Sequence, residues 1–174
     1  KATVVPGLID AHAHVSGLGF AMMDADLVDT RDKAEILERL RAKAAALKPG
    51  EWLIGRGWDQ NDWPEKAFPS AADLDAAFPD RPVWLSRIDG HAGWANTTAM
   101  RAVQRDLSGT WQPDGGAIQR DAAGKPTGIF VDNAMALLEE ARPATSEATA
   151  ERALVLGMQA AVQHGLTGVH DAGI

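Results

Sequence analysis

Cysteine is absent from the 174-residue sequence, which excludes both a disulfide framework and a thiolate metal site. Any metal bound here must use imidazole and carboxylate ligands. Tyrosine is absent as well, whereas tryptophan occurs six times. No run approaches the roughly 20 apolar residues of a membrane helix, and the N-terminal residues lack a charged-then-apolar secretory pattern. Positive charge is scarce: 17 Lys and Arg face 24 Asp and Glu, for a net charge of −7. The basic residues are scattered, which argues against nucleic acid and anionic membrane surfaces as partners and favours a small neutral or cationic ligand. What remains is an ordinary globular composition, 45% hydrophobic and 24% charged, long enough to bury a sizeable core.

The chain opens on Lys1 rather than methionine, within what reads as a strand. It ends at Ile174 in a loop that follows a strand, Leu166 to His170. Both ends are therefore expected to continue in a longer polypeptide. Between them, Leu8 to His14 reads as a buried strand, followed by a loose stretch containing Ser16, Gly17 and Gly19. Asp32 and Glu35 have capping-box spacing ahead of a helix whose apolar face carries Ile36, Leu37, Leu40, Ala44 and Leu47, stopped by Lys48-Pro49-Gly50. Strands are expected at Trp52 to Trp58 and Val83 to Ile88, with a short helix from Ser70 to Phe78 and another from Asn96 to Val103. Ala117 to Asp121 and Thr127 to Val131 flank a glycine-containing connection that suits a β-hairpin. A helix over 133–141 precedes a stronger one, capped by Ser146, with Ala150, Ala153, Leu154, Gly157, Met158, Ala161 and Val162 on one stripe. His164-Gly165 closes it, and the strand that follows completes half of a βαβ unit.

The most informative local pattern is His12-Ala13-His14 at the end of the first strand. Successive side chains of an extended chain alternate faces, so His12 and His14 project to the same side, as does Asp10. Two imidazoles so placed can meet one cation, and a zinc ion bound by nitrogen ligands with an open position ionises water near neutral pH. A solvated strand end carrying two histidines by chance has the same spacing.

The segment Val4-Val5-Pro6-Gly7-Leu8-Ile9-Asp10-Ala11-His12-Ala13-His14 resembles the opening of the barrel in the amidohydrolase superfamily. Gly55-Arg56-Gly57-Trp58-Asp59-Gln60, Arg87-Ile88-Asp89-Gly90-His91-Ala92-Gly93-Trp94-Ala95-Asn96-Thr97, Gly115-Gly116-Ala117-Ile118 and Pro126-Thr127-Gly128-Ile129 are similar to markers of amidohydrolase family 3, the N-substituted formamide deformylase-like branch. The resemblance runs along essentially the whole chain. It implies a metal-dependent hydrolase of a non-peptide carbon–nitrogen bond, amide or formamide-like, acting through metal-activated water. It also implies His12 and His14 as two metal ligands, a divalent metal expected to be zinc, and the remaining ligands and the catalytic acid or base beyond residue 174.

The fold implied is α/β: part of a (β/α)₈ TIM barrel with a large α/β insertion after the first barrel strand. The divisions expected are 1–20 for that strand with its metal ligands, 21–131 for the insertion, and 132–174 for helices and the next barrel strand. A complete barrel needs about 250 residues, so this chain alone is expected to lack turnover. The alternative is a catalytically inactive insertion or interaction module, and self-association to cover exposed apolar surface is an open partner class beside the small-molecule substrate. A cytoplasmic location is favoured.

Other residues divide between pocket and scaffold. His91 and Asp89 are expected near the substrate, with a pinned turn around Gly90 as the competing reading. Trp94 is assigned to the same pocket. His170 and Asp171 end the last strand, where a barrel exposes its mouth, and His170 is taken as substrate-binding. His164 suits a helix C-terminus, and Asp132 suits a helix cap better than a metal-facing acid. Trp52 and Trp84 are expected in the core; Trp58, Trp63 and Trp111 stand with Trp94 at loop-like positions, where aromatics commonly line clefts, with core packing the default for any single one.

Overall fold

The computed structural model describes residues 2–173; Lys1 and Ile174, placed by sequence in a strand and a loop, lie outside the described residues. In chain order the elements are β1 (Leu8–Ala13), α1 (Val15–Met23), β2 (Ala25–Asp26), α2 (Lys33–Ala44), β3 (Leu53–Trp58), α3 (Ala71–Asp75), β4 (Val83–Arg87) and β5 (Ala92–Ala95). There follow α4 (Thr97–Met100), β6 (Gly116–Arg120), β7 (Pro126–Asp132), α5 (Ala136–Ala141), α6 (Glu147–Gln163) and β8 (Leu166–Asp171). They form two compact units, Lys1–Met23 with Ala144–Ile174, and Asp24–Pro143. No helix among the described residues is long and apolar enough to cross a membrane.

In the first unit β1 pairs in parallel with β8, Leu8 opposite Leu166 and Ala13 opposite Asp171. Ser146 caps α6, accepting from Thr149 N, and His164 ends it with Nδ1 2.8 Å from Ala160 O. The stretch expected to be loose is instead α1. Its glycine serves contact between helices: a Cβ on Gly19 would lie 1.7 Å from Ala153 O, and one on Gly157 would lie 2.1 Å from Val15 O. Two helices approach this closely only where side chains are missing, so residues that suggest a loop form a helix. The strand expected to be buried is also corrected. Parallel strands are usually covered on both faces, but among the described residues β1 pairs with β8 alone, and Leu8 and Ile9 are 62% and 65% exposed.

The second unit is built on a six-stranded sheet of order β2-β3-β4-β5-β7-β6. β2, β3 and β4 are parallel; β5, β7 and β6 continue antiparallel. Alternate residues of each strand feed opposite faces. Leu85, Trp94 and Ile129 pack on one side with Ile36 and Leu40 of α2, while Trp84, Ala95 and Phe130 pack on the other with Leu138 of α5. Asp32 caps α2 through Glu35 N, but the Glu35 carboxylate turns to Arg31 and Arg39. The β6–β7 hairpin forms where expected.

Three differences from the sequence reading concern this unit. β5 takes up the stretch around Trp94 that reads as loop-like, held as the partner of both β4 and β7, while the turn around Gly90 forms as read. Asn96 caps a helix that stops at Met100 rather than Val103. Trp94, assigned to the pocket, is instead buried in the core, as are Trp58 and Trp63 by the default of core packing, each indole N–H donating to a backbone carbonyl: Ser70 O, Leu85 O and Thr30 O respectively. A large apolar ring with a satisfied polar tip is stable in the core. Trp111 remains at the surface, with the Arg105 guanidinium 3.8 Å above its ring.

Candidate functional site

In the first unit the end of β1 carries His12 and the residue after it is His14, both exposed. Their ring centroids lie 5.2 Å apart, nearly perpendicular. Two imidazoles bound tetrahedrally to one zinc through nitrogens at the usual bond length bring their centroids to about 5 Å, so the pair fits two positions of such a site. It does not complete one: no cluster of three His, Cys, Asp or Glu able to hold a metal occurs among the described residues.

The backbone around the pair is fixed by two aspartates. Asp10 accepts the His12 amide at 3.0 Å. Asp171, at the end of β8, accepts the amides of Val15 and Gly173 at 3.0 and 2.8 Å. The Gly173 amide first, then that of Val15, holds its carboxyl below the ordinary carboxylate range. Val15 is the first residue of α1, so Asp171 caps that helix across the chain and fixes the chain immediately after His14. His14 also lines a cleft of about 340 Å³ with Asp10, Leu18, His164 and Val169. His170 is exposed on β8.

In the second unit Arg87, Asp89, His91 and Asp132 form a connected group. Arg87 donates to both Asp89 oxygens, at 2.9 and 2.6 Å, and Asp89 Oδ1 also accepts the His91 amide at 3.0 Å. The Arg87 guanidinium holds the Asp89 carboxyl down at about 2, with the His91 amide adding to the effect against desolvation. Gly90 lies between them at φ +76°, a backbone angle that glycine adopts without strain. Asp89 thus braces the turn that carries His91.

The His91 ring points outward, its side chain 71% exposed, with Nδ1 2.8 Å from Asp132 Oδ1. Asp132 precedes a one-turn 3₁₀ helix, Asn133–Met135, yet its side chain makes no capping bond. The cap expected from sequence is replaced by the bond to His91. Sequence reasoning missed this pair because the partners are 41 residues apart and meet only through β5–β7 pairing. Trp94 lies beneath the surface of the same sheet, fully buried against Trp58 and Trp63.

A family model described as the amidohydrolase family matches residues 2–174. The putative amidohydrolase YtcJ of Bacillus subtilis (strain 168) is 37% identical over 170 residues, covering 98% of this chain and 32% of that protein. The N-substituted formamide deformylase of Arthrobacter pascens is 36% identical over 176 residues, again covering 98% of this chain and 32% of that protein. The crystal structure of an uncharacterized metal-dependent hydrolase from Pyrococcus horikoshii OT3 is similar in fold, with a TM-score of 0.67 at 20% identity, over 94% of this chain and 30% of that one. The chain spans about a third of the length of these curated relatives.

Proposed function

Since the chain belongs to amidohydrolase family 3, we propose that the protein carrying it is a metal-dependent hydrolase of a carbon–nitrogen bond in a small amide or formamide-like substrate. The observation that carries this reading is the His12–His14 pair, with rings 5.2 Å apart at the end of a parallel strand. In a (β/α)₈ barrel that end of each strand forms the active-site face. The name of the Arthrobacter pascens relative supports formamide-like substrates.

His12 and His14 would hold a divalent ion, zinc by preference for imidazole. When bound, such an ion polarises a carbonyl and lowers the pKa of a water. Asp10 and Asp171 fix the backbone on which the two imidazoles stand. His91 presents an exposed imidazole to substrate, Asp89 braces its backbone, and Trp94 packs beneath as support. His170 is assigned to the substrate side from its place at the end of β8. The inserted part would run over 21–131, as the family resemblance implies.

The test is metal content and hydrolysis of an N-alkylformamide by the full-length protein, before and after His12→Ala and His14→Ala. Each variant should lose most of the metal together with the activity. Unchanged metal content would overturn the ligand assignment, and an unreactive wild type would overturn the substrate class.

A second reading rests on a different observation. Leu154, Val155, Met158 and Val162 of α6 are all exposed, Val162 at 69%. Apolar area of this kind suits a covering partner or a second copy, making the isolated chain a folded interaction module without activity. Concentration-dependent association in sedimentation would support it, and zinc-dependent amide hydrolysis by the 174-residue chain would eliminate it.

A further inference from the structure

We infer that the loop Asp171–Gly173 selects the nitrogen with which His14 takes a metal: it closes off Nδ1 and leaves Nε2 free, and the bare Cα of Gly173 is what lets the ring sit there. Asp171 and Gly173 are thus positioning residues, and the inference rests on the metal-dependent hydrolase reading above.

All the groups concerned lie in the first unit. Ala172 N–H donates to Ala13 O at 2.8 Å, and the Asp171 carboxylate accepts the amides of Gly173 at 2.8 Å and Val15 at 3.0 Å. Ala13 and Val15 flank His14, so the loop is tied to the chain on both sides of that histidine. A Cβ on Gly173 would stand 2.8 Å from His14 Nδ1 and 3.7 Å from its Cγ, close to the line of the Nδ1 lone pair. A metal bonded to Nδ1 at the usual distance of about 2.0–2.1 Å would therefore overlap Gly173, which leaves Nε2 as the ligating atom. Charge acts in the same direction as space. Asp171 Oδ1 is 3.4 Å from that same Cβ position. Negative charge beside one nitrogen favours the tautomer with its proton there, and a neutral ring then keeps its lone pair on Nε2. Backbone conformation supplies no reason for glycine at this position: unlike Gly90 and Gly165, Gly173 lies outside the positive-φ region. The room that its missing side chain leaves for the imidazole does.

The first measurement is the two-bond ¹⁵N–¹H spectrum of ¹⁵N-histidine-labelled chain at about pH 9, above the ordinary imidazole range, with His14→Gln to assign the signal among five histidines. His14 should carry its proton on Nδ1, and Asp171→Asn, which removes the charge yet still accepts a backbone amide, should move population to Nε2–H. The second is the zinc dissociation constant of the full-length protein, by competition with a chromophoric chelator. Asp171→Asn should raise it about tenfold, and Gly173→Ala by at least as much. Gly168→Ala is the control on the same strand, because its Cβ would meet only Ile9 side-chain atoms at 3.6 and 3.8 Å; zinc affinity should not change. An Nε2–H tautomer in the wild type would overturn the inference, and so would equal affinities in Gly173→Ala and Gly168→Ala. If the wild-type full-length protein takes up no zinc, the metal-dependent reading falls, while the tautomer still decides whether the loop selects the nitrogen.

Discussion

Gly19 meets Ala153 so closely that a Cβ on the glycine would lie 1.7 Å from the Ala153 carbonyl oxygen. The neighbour is backbone and cannot rotate away. Gly19→Ala should therefore destabilise the chain by about 1–3 kcal/mol through overpacking, read by urea denaturation. Gly17 is the control: its Cβ would meet only His14 Cβ at 3.5 Å, so Gly17→Ala should be neutral or stabilising by about 0.5–1 kcal/mol, as expected within a helix. Equal effects at the two sites would contradict the close crossing of α1 and α6.

Asn96 is fully buried and uses its whole amide. Oδ1 accepts from Val83 N and Ala99 N, and Nδ2 donates to Phe78 O and Arg81 O. Asn96→Ala leaves those groups without partners and should cost about 3–5 kcal/mol. Asn96→Asp should be at least as damaging, because it turns a carboxylate toward two carbonyls. A loss below about 1 kcal/mol in denaturant titration would show that the amide is not the tie between α4 and β4.

The Arg87–Asp89 pair predicts a pH effect of definite sign. Asp89 ionises near 3.8 when unperturbed and near about 2 when folded beside Arg87. A depressed carboxylate stabilises the fold fully above its unfolded value and loses that contribution as pH falls through its folded one. The brace on His91 is therefore complete at neutral pH and fails between about pH 4 and 2. Carboxyl ¹³C titration should place the Asp89 midpoint near the lower limit, and Arg87→Ala should return it toward about 3.9. A midpoint already in the ordinary range in the wild type would remove the brace.

Asp132→Gly relieves the positive-φ strain while deleting only an exposed hydrogen bond. Stability should rise by up to about 1 kcal/mol. If Asp132 were kept to hold the fold, thermal denaturation would instead show a loss.

Elements whose signal lies in neighbouring residues were legible in the sequence. Asp32 caps α2, and Ile36 and Leu40 on its apolar stripe are fully buried. Elements that depend on distant partners were not. β5 has four residues, Ala-Gly-Trp-Ala, with no β-branched side chain, and becomes a strand through β4 and β7. Its Gly93 makes room for the Trp84 ring, which a Cβ would meet at 1.9 Å. α1 was hidden by glycines whose purpose is the crossing with α6. At the candidate site, the two-residue spacing of His12 and His14 was readable from strand geometry. Asp132 was not, because an acid ahead of Asn133 ordinarily caps a helix, and only the backbone angle shows that this one does not.

The pairing of β1 with β8 also bears on the order in which the chain assembles. Asp171 and Val15, joined by a hydrogen bond in the first unit, are 156 residues apart, whereas residues 24–143 form a unit continuous in sequence. Closing the longer loop early costs chain entropy with little return, since few contacts offset it until both strands and both helices are present. The continuous part is thus suited to fold first and shorten the effective loop, so the strand bearing His12 and His14 would be among the last elements to acquire its neighbour. Mutations far from those histidines that slow folding of residues 24–143 would then delay the appearance of the paired imidazoles without altering their final geometry.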